Sequence, residues 1–200
     1  MVTGSLDNSI KITLLTPYEH LHTYTNTHNG KTTPLAYTHI LNSLGGVTCL
    51  KITSNNRMII SGGGDGSIRV SNMNFKKKGT LHIFSEAHKG PVKALAITKD
   101  NKYFVSASTS GSIKVFYLEK REYLHTIKHA HDDEITALAL SRDNKYIISA
   151  SADRSIRIFD FHTRKRIHTF KDVHESIFLI IFLSTYHTPR IDIKHDLING

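Results

Sequence analysis

The sequence predicts an all-β chain assembled from a repeated unit of four short strands, and three observations predict it. A pattern of apolar runs and small-residue turns recurs along the 200 residues, its later copies 43 residues apart. Within each copy the apolar runs are four to seven residues long, rich in Ile, Val, Tyr and Phe, and bounded by Asp, Asn, Ser, Gly and Lys, as strands joined by tight turns are. No stretch sustains an apolar period of 3.6, so helix is not expected.

The chain opens on MVTGSLDNSIKI (1–12), which reads as two short strands. An outer strand follows, LHTYTNTH at Leu21–His28, whose form returns as LHIFSEAH (Leu81–His88), LHTIKHAH (Leu124–His131) and IHTFKDVH (Ile167–His174). After each later copy comes an apolar run: VKALAIT from Val92, ITALALS from Ile135 and FLIIFLS from Phe178. The counterpart for the first copy is VTCLKIT from Val47, set back by a Gly-, Asn- and Thr-containing insertion over 29–46 that reads as a long loop. Two further strands close each unit: MIISGGGDGSIRV from Met58, YFVSASTSGSIKV from Tyr103 and YIISASADRSIRI from Tyr146. One four-stranded sheet cannot bury both of its faces, so neighbouring copies must pack face to face. That period and strand count are the signature of a propeller blade.

The units then divide as a partial blade at 1–28, blades over about 47–88, 89–131 and 132–174, and the first strand of another at 178–184. Residues 185–200 fit no repeat position and read as an irregular tail, with Pro189 where a strand residue belongs. Closed propellers need at least about four blades, so the expectation is a partial or open propeller, a piece of a larger multidomain protein. The other arrangement has 178–184 complete the N-terminal blade, giving four blades closed on themselves or paired with a second chain. FLIIFL, left uncovered, would invite self-association through unpaired edge strands.

Composition narrows the setting. The single cysteine, Cys49, excludes an internal disulfide and reads as a buried thiol. The N-terminus lacks a secretory pattern, and no apolar run is long enough to span a bilayer as a helix. A soluble, intracellular and cytoplasmic protein is expected, with the nucleus left open.

At particular positions the chain resembles the WD-repeat family of β-propellers. There a His precedes the innermost strand, a Ser or Thr ends the second, an Asp sits in the next turn, and a Trp on the third strand completes a buried hydrogen-bonded set. The 132–174 unit supplies His131, Ser149 and Asp153, with Phe159 in the Trp position. The preceding unit supplies His88 and Ser106, but has Ser110 in place of the Asp and Phe116 in place of the Trp. The one before supplies His28, Ser61 and Asp65, with Ser71 where the aromatic belongs, and the N-terminal piece supplies Thr3 and Asp7. A turn Asp can accept from backbone N–H groups and a buried imidazole, and the imidazole passes the chain to the Ser hydroxyl. Phe has no N–H, so the set stops at Ser, a loss of roughly 1 kcal/mol per blade.

The resemblance implies a non-catalytic protein–protein interaction scaffold and no cofactor. It also accounts for residues that otherwise invite chemistry. His131, Ser149 and Asp153 have the composition of a hydrolase triad, but here they read as a brace with a buried Ser. Gly62–Gly66 lacks the Lys-Ser/Thr and helix of a phosphate loop, and reads as a turn. His125, His129 and His131 lack the Cys or carboxylate that would complete a metal set.

The formal charge of +9 is divided between two faces. Turns joining strands one to two and three to four lie at one end of each blade. There stand Arg57, Lys76, Lys77, Lys78, Lys99, Lys102, Lys120, Arg121, Arg142, Lys145, Arg164, Lys165 and Arg166, against Asp100, Glu119, Glu122 and Asp143. The opposite end is acidic: Asp7, Asp65, Glu86, Asp132, Asp133, Glu134, Asp153 and Glu175 against Lys31, Lys89 and Arg154. Such a basic face would suit an acidic protein, RNA or an anionic membrane surface. The absence of an aromatic stacking series argues against single-stranded nucleic acid.

Overall fold

The computed structural model describes residues 2–4, 10–15, 18–24, 46–73 and 80–173, the first three stretches by their backbone course. No helix occurs among them. An N-terminal three-stranded sheet contains β1 (Val2–Gly4), β2 (Ile10–Leu15) and β3 (Tyr18–Tyr24). Three four-stranded antiparallel meanders follow. Sheet I is β4 (Val47–Ile52), β5 (Met58–Gly63), β6 (Ile68–Asn72) and β7 (Thr80–Phe84). Sheet II is β8 (Val92–Ile97), β9 (Tyr103–Ser108), β10 (Ile113–Tyr117) and β11 (Glu122–Ile127). Sheet III is β12 (Ile135–Leu140), β13 (Tyr146–Ser151), β14 (Ile156–Asp160) and β15 (Arg166–Phe170).

The three sheets share one register, with a bulge near the start of each first strand: between Val47 and Cys49, Val92 and Ala94, and Ile135 and Ala137. A second interrupts each pairing of third and fourth strands. A bulge adds twist and bends its strand, so its recurrence gives every sheet the same shape and lets the sheets stack.

Stacking builds the core. The first strands β4, β8 and β12 lie side by side, and each sheet is apolar on both faces. On β8, Leu95 faces sheet I among Ile60, Phe104 and Phe116, while Ala94 and Ala96 face sheet III beside Ile135 and Leu138. Large residues on one sheet thus meet alanines on the next, which lets the first strands approach closely while filling the space between them. Where the family carries Trp, Phe116 is fully buried and stacks on Phe104 at 4.6 Å between ring centroids, with Phe84 at 4.7 Å. Phe159 fills the corresponding place between sheets II and III. Cys49 is partly buried against apolar neighbours, and burial pushes its thiol pKa up to about 11.

Candidate functional site: a buried brace and two charged faces

In sheet III the structure brings His131, Ser149 and Asp153 together. His131 Nε2 lies 2.7 Å from Ser149 Oγ and Nδ1 lies 3.0 Å from Asp153 Oδ2. Burial lowers the His131 pKa despite the neighbouring carboxylate, so the imidazole is neutral. Its contact with Asp153 is then a hydrogen bond from Nδ1–H, which leaves Nε2 to accept from the Ser149 hydroxyl. Asp153 also accepts from Asp132 N–H at 3.1 Å and from Ser155 N–H at 2.9 Å. Burial opposes its ionisation, but the bonds from Ser155, the Asp132 amide and His131 outweigh it and hold the carboxyl far below the usual range. Ser149 is 0% exposed, so its hydroxyl is closed to any substrate.

The set extends in a direction that sequence reasoning missed. Arg157 on β14 is buried, and its guanidinium donates to Ala130 O (2.9 Å), Asp132 Oδ2 (2.5 Å), Asp153 Oδ2 (3.2 Å) and Ser155 Oγ (3.2 Å). Asp132 therefore does more than colour an acidic face: its amide holds Asp153 and its carboxylate holds Arg157. The alternation of β14 placed Arg157 on the side of the strand that a half-buried sheet exposes, but here both faces are covered.

The other sheets keep parts of this arrangement. In sheet II, His88 Nε2 lies 2.7 Å from Ser106 Oγ, while Nδ1 meets Ser112 Oγ at 3.2 Å. Ser110, in the Asp position, bonds to the hydroxyls of Ser108 (2.7 Å) and Ser112 (2.9 Å). Burial, with the nearby charge of Lys114, lowers the His88 pKa to about 3. In sheet I, Asp65 Oδ1 accepts from Ser67 N–H at 2.9 Å, Ser61 is buried, and Arg69 is buried where Arg157 lies in sheet III. Thr3 falls on β1; His28 and Asp7 lie outside the described residues, as do 178–184 and the tail at 185–200.

The two ends of the sheets also take form. Turns between first and second strands touch one another from sheet to sheet: Ser54 N–H donates to Asn101 Oδ1 at 2.8 Å and Lys99 N–H to Asn144 Oδ1 at 3.1 Å. Arg57, Lys99, Lys102, Lys120, Arg121, Arg142, Lys145, Arg164, Lys165 and Arg166 belong to these turns and to those between third and fourth strands. Lys76, Lys77 and Lys78 lie outside the described residues. Of the acids at this end, Asp143 accepts from Ser141 Oγ and Lys145 N–H and stays ionised, its pKa lowered by those bonds. Asp160, at the end of β14, also belongs here, so the described face carries ten basic against five acidic side chains. At the opposite end Lys128 and Lys171 join Lys89 and Arg154, and Asp172 joins the acids. The acidic excess there is smaller than a count by turns alone suggests.

The WD domain, G-beta repeat (WD40) family model matches residues 36–71, 78–116 and 121–160. The chain belongs to the WD40 repeat family. Among solved structures it is similar to the WD40 repeats of RRP9, with a TM-score of 0.59 and 26% identity over 66% of this chain and 40% of that one. It is equally similar to U3-55K, with a TM-score of 0.59 and 25% identity over 66% of this chain and 41% of that one. Cilia- and flagella-associated protein 52 from Mus musculus is 36% identical over 73 residues, which is 36% of this chain and 12% of the mouse protein. The Bos taurus protein of that name is 34% identical over the same length. The match thus spans about an eighth of the cilia- and flagella-associated proteins (12%) and less than half of the two solved structures (40% and 41%). Its three meanders are propeller blades, and the propeller is open across the described residues.

Proposed function

We propose that this WD40 chain is a non-catalytic scaffold that binds other proteins through the turns at the two ends of its sheets. The observation that carries the reading is the brace. Its His, Ser and Asp are used up in holding turns to strands, which leaves exposed turns on a rigid stack as the surface open to partners. Fold alone does not name a function, so the reading rests on where the polar groups of this chain are spent. The cytoplasm is the location this reading favours. The names of the relatives make a ciliary or flagellar setting a variant of it.

Amine-reactive crosslinking of the full chain in its native extract tests the proposal. Crosslinks to partner proteins should concentrate at Lys99, Lys102, Lys120, Lys145 and Lys165, or at Lys89 and Lys128, and be sparse at the strand residues Lys51 and Lys114. An even spread over all lysines would sink it.

The basic end supports a second reading, in which it docks RNA or anionic lipid headgroups. In that case affinity for RNA or for phosphatidylserine vesicles should fall steeply with salt and drop after reversal of Arg142, Lys145, Arg164, Lys165 and Arg166. Unchanged binding in the reversed variant excludes it.

A further inference from the structure

Sheet III shows which groups gather around a carboxylate at the turn between second and third strands. Asp153 is held by His131 Nδ1, the Asp132 and Ser155 amides, the Ser155 hydroxyl and the Arg157 guanidinium. Sheet II presents the same groups in the same order: His88, Lys89, Ser112 and Lys114. It lacks the carboxylate, because Ser110 stands in its place.

The charges around it have changed as well. Asp132 and Arg157 balance each other in sheet III, at 2.5 Å. In sheet II both positions are lysine, Lys89 and Lys114, so the pair that is neutral in sheet III is doubly cationic here, and the Lys114 charge reaches His88. Three hydroxyls, of Ser108, Ser110 and Ser112, cluster there at 2.7–3.5 Å from one another, each able to turn its hydrogen toward an acceptor. Ser110 is exposed, and Lys114 opens onto a cleft of about 270 Å³ bordered by Phe84, Phe116 and Tyr123. The Lys114 ammonium lies 5.4 Å from the Tyr123 ring centroid, a weak cation–π contact that a rotamer change releases. Nearby acids are Asp65, engaged with Ser67 N–H, Glu86 at the rim of the cleft, and Asp133, whose backbone packs against Gly111 of the turn and whose side chain is exposed.

We propose that this turn of sheet II is an oxyanion-binding site, formed by His88 Nδ1–H, the amides of Lys89 and Ser112, the serine hydroxyls and the ammonium groups of Lys89 and Lys114. The ligand is of the phosphate class. In sheet III a neutral Asp132–Arg157 pair stands beside one carboxylate, whereas the two lysines of sheet II favour a dianion, and phosphate offers the acceptor oxygens to meet the extra donors. Either the free ion or the phosphate monoester of a bound molecule satisfies this chemistry.

The test follows the backbone amides of the full chain by NMR during titration with inorganic phosphate at constant ionic strength. The Lys89 and Ser112 amides should shift and saturate, while those of Asp132 and Ser155, already facing Asp153, should not. Ser110→Asp supplies the anion from within and should abolish the saturable response. Replacing Lys89 and Lys114 by Met should weaken binding about tenfold or more. O-phosphoserine competing with inorganic phosphate would identify a monoester site, and failure to compete a site for the free ion. The proposal is overturned if the Lys89 and Ser112 amides drift without saturating, if the sheet III amides respond equally, or if Ser110→Asp leaves the response intact. None of these results decides the scaffold reading, which rests on the turns at both ends of all the sheets and not on this one alone.

Discussion

Asp153 and Ser110 occupy one position in successive sheets, and with Asp132 and Arg157 replaced by Lys89 and Lys114 the difference separates a turn built around a carboxylate from one built around hydroxyls. Asp153→Ala removes the acceptor for the His131 imidazole, two backbone amides and one arm of Arg157. It should lower stability by about 2–3 kcal/mol at neutral pH in chemical denaturation, because the donors left behind are mostly buried. His88 gives a pH prediction whose sign is fixed by burial. Its pKa is about 3 in the folded chain against 6.5 for a free imidazole. The unfolded chain therefore binds the extra proton between those values, and stability falls as pH drops from about 6.5 toward 3. The slope for this one group is at most about 1.4 kcal/mol per pH unit. His131 adds to it in the same direction, and Asp153 adds its own loss as pH falls below the range of an unfolded carboxyl. Denaturation midpoints across that range should decline less steeply in His88→Asn, and equal slopes in the two proteins would show that His88 is not the group responsible. At this scale the sequence was legible where the repeat aligned one residue type with another. His131, Ser149 and Asp153 could be picked out for that reason. Arg157 could not, since a charged residue at an alternate strand position looks the same whether water or another sheet lies opposite.

The same limit operates on the elements. Strand number and order follow from short β-branched runs separated by Asn, Asp and Gly, which is local information carried on the chain itself. The connections between sheets are not local. Asn56, Asn101 and Asn144 all have positive φ, at 54°, 58° and 59°, which Asn tolerates better than most residues and which marks each as a turn position. The structure adds that the side chains of Asn101 and Asn144 reach the neighbouring turn, and Asn101 does so twice, accepting from Ser54 N–H and donating to Ser54 Oγ at 2.7 Å. The two functions can be separated by substitution. Asn101→Gly keeps the left-handed turn but loses the inter-sheet bonds, and should cost about 1 kcal/mol. Asn101→Ala loses those bonds and strains the turn as well, so its cost should exceed that of the glycine variant by a further ~1 kcal/mol. Urea denaturation of the pair measures both differences. A glycine variant as stable as the parent would mean that the bond between turns contributes nothing.

The bearing of those connections on the whole molecule is a question of cooperativity. In a stack of repeats, stability is the sum of what each unit contributes and what each interface adds. A four-stranded sheet with both faces apolar contributes little alone, so the interfaces should dominate. Sheet II lies at the centre of that account. One face shares a core with sheet I through Leu95, Phe104 and Phe116, and the other shares a core with sheet III through Val105, Val115 and Ile135. Sheets I to III should therefore unfold together. Phe116→Ala removes a fully buried ring from the I–II interface and should cost about 3–5 kcal/mol. If the stack is cooperative, hydrogen exchange of amides in β13 and β14 should accelerate along with those of β5 and β6, although the substitution touches neither β13 nor β14. Faster exchange confined to sheet I would show that the II–III interface holds by itself, and that the stack behaves as separable blades.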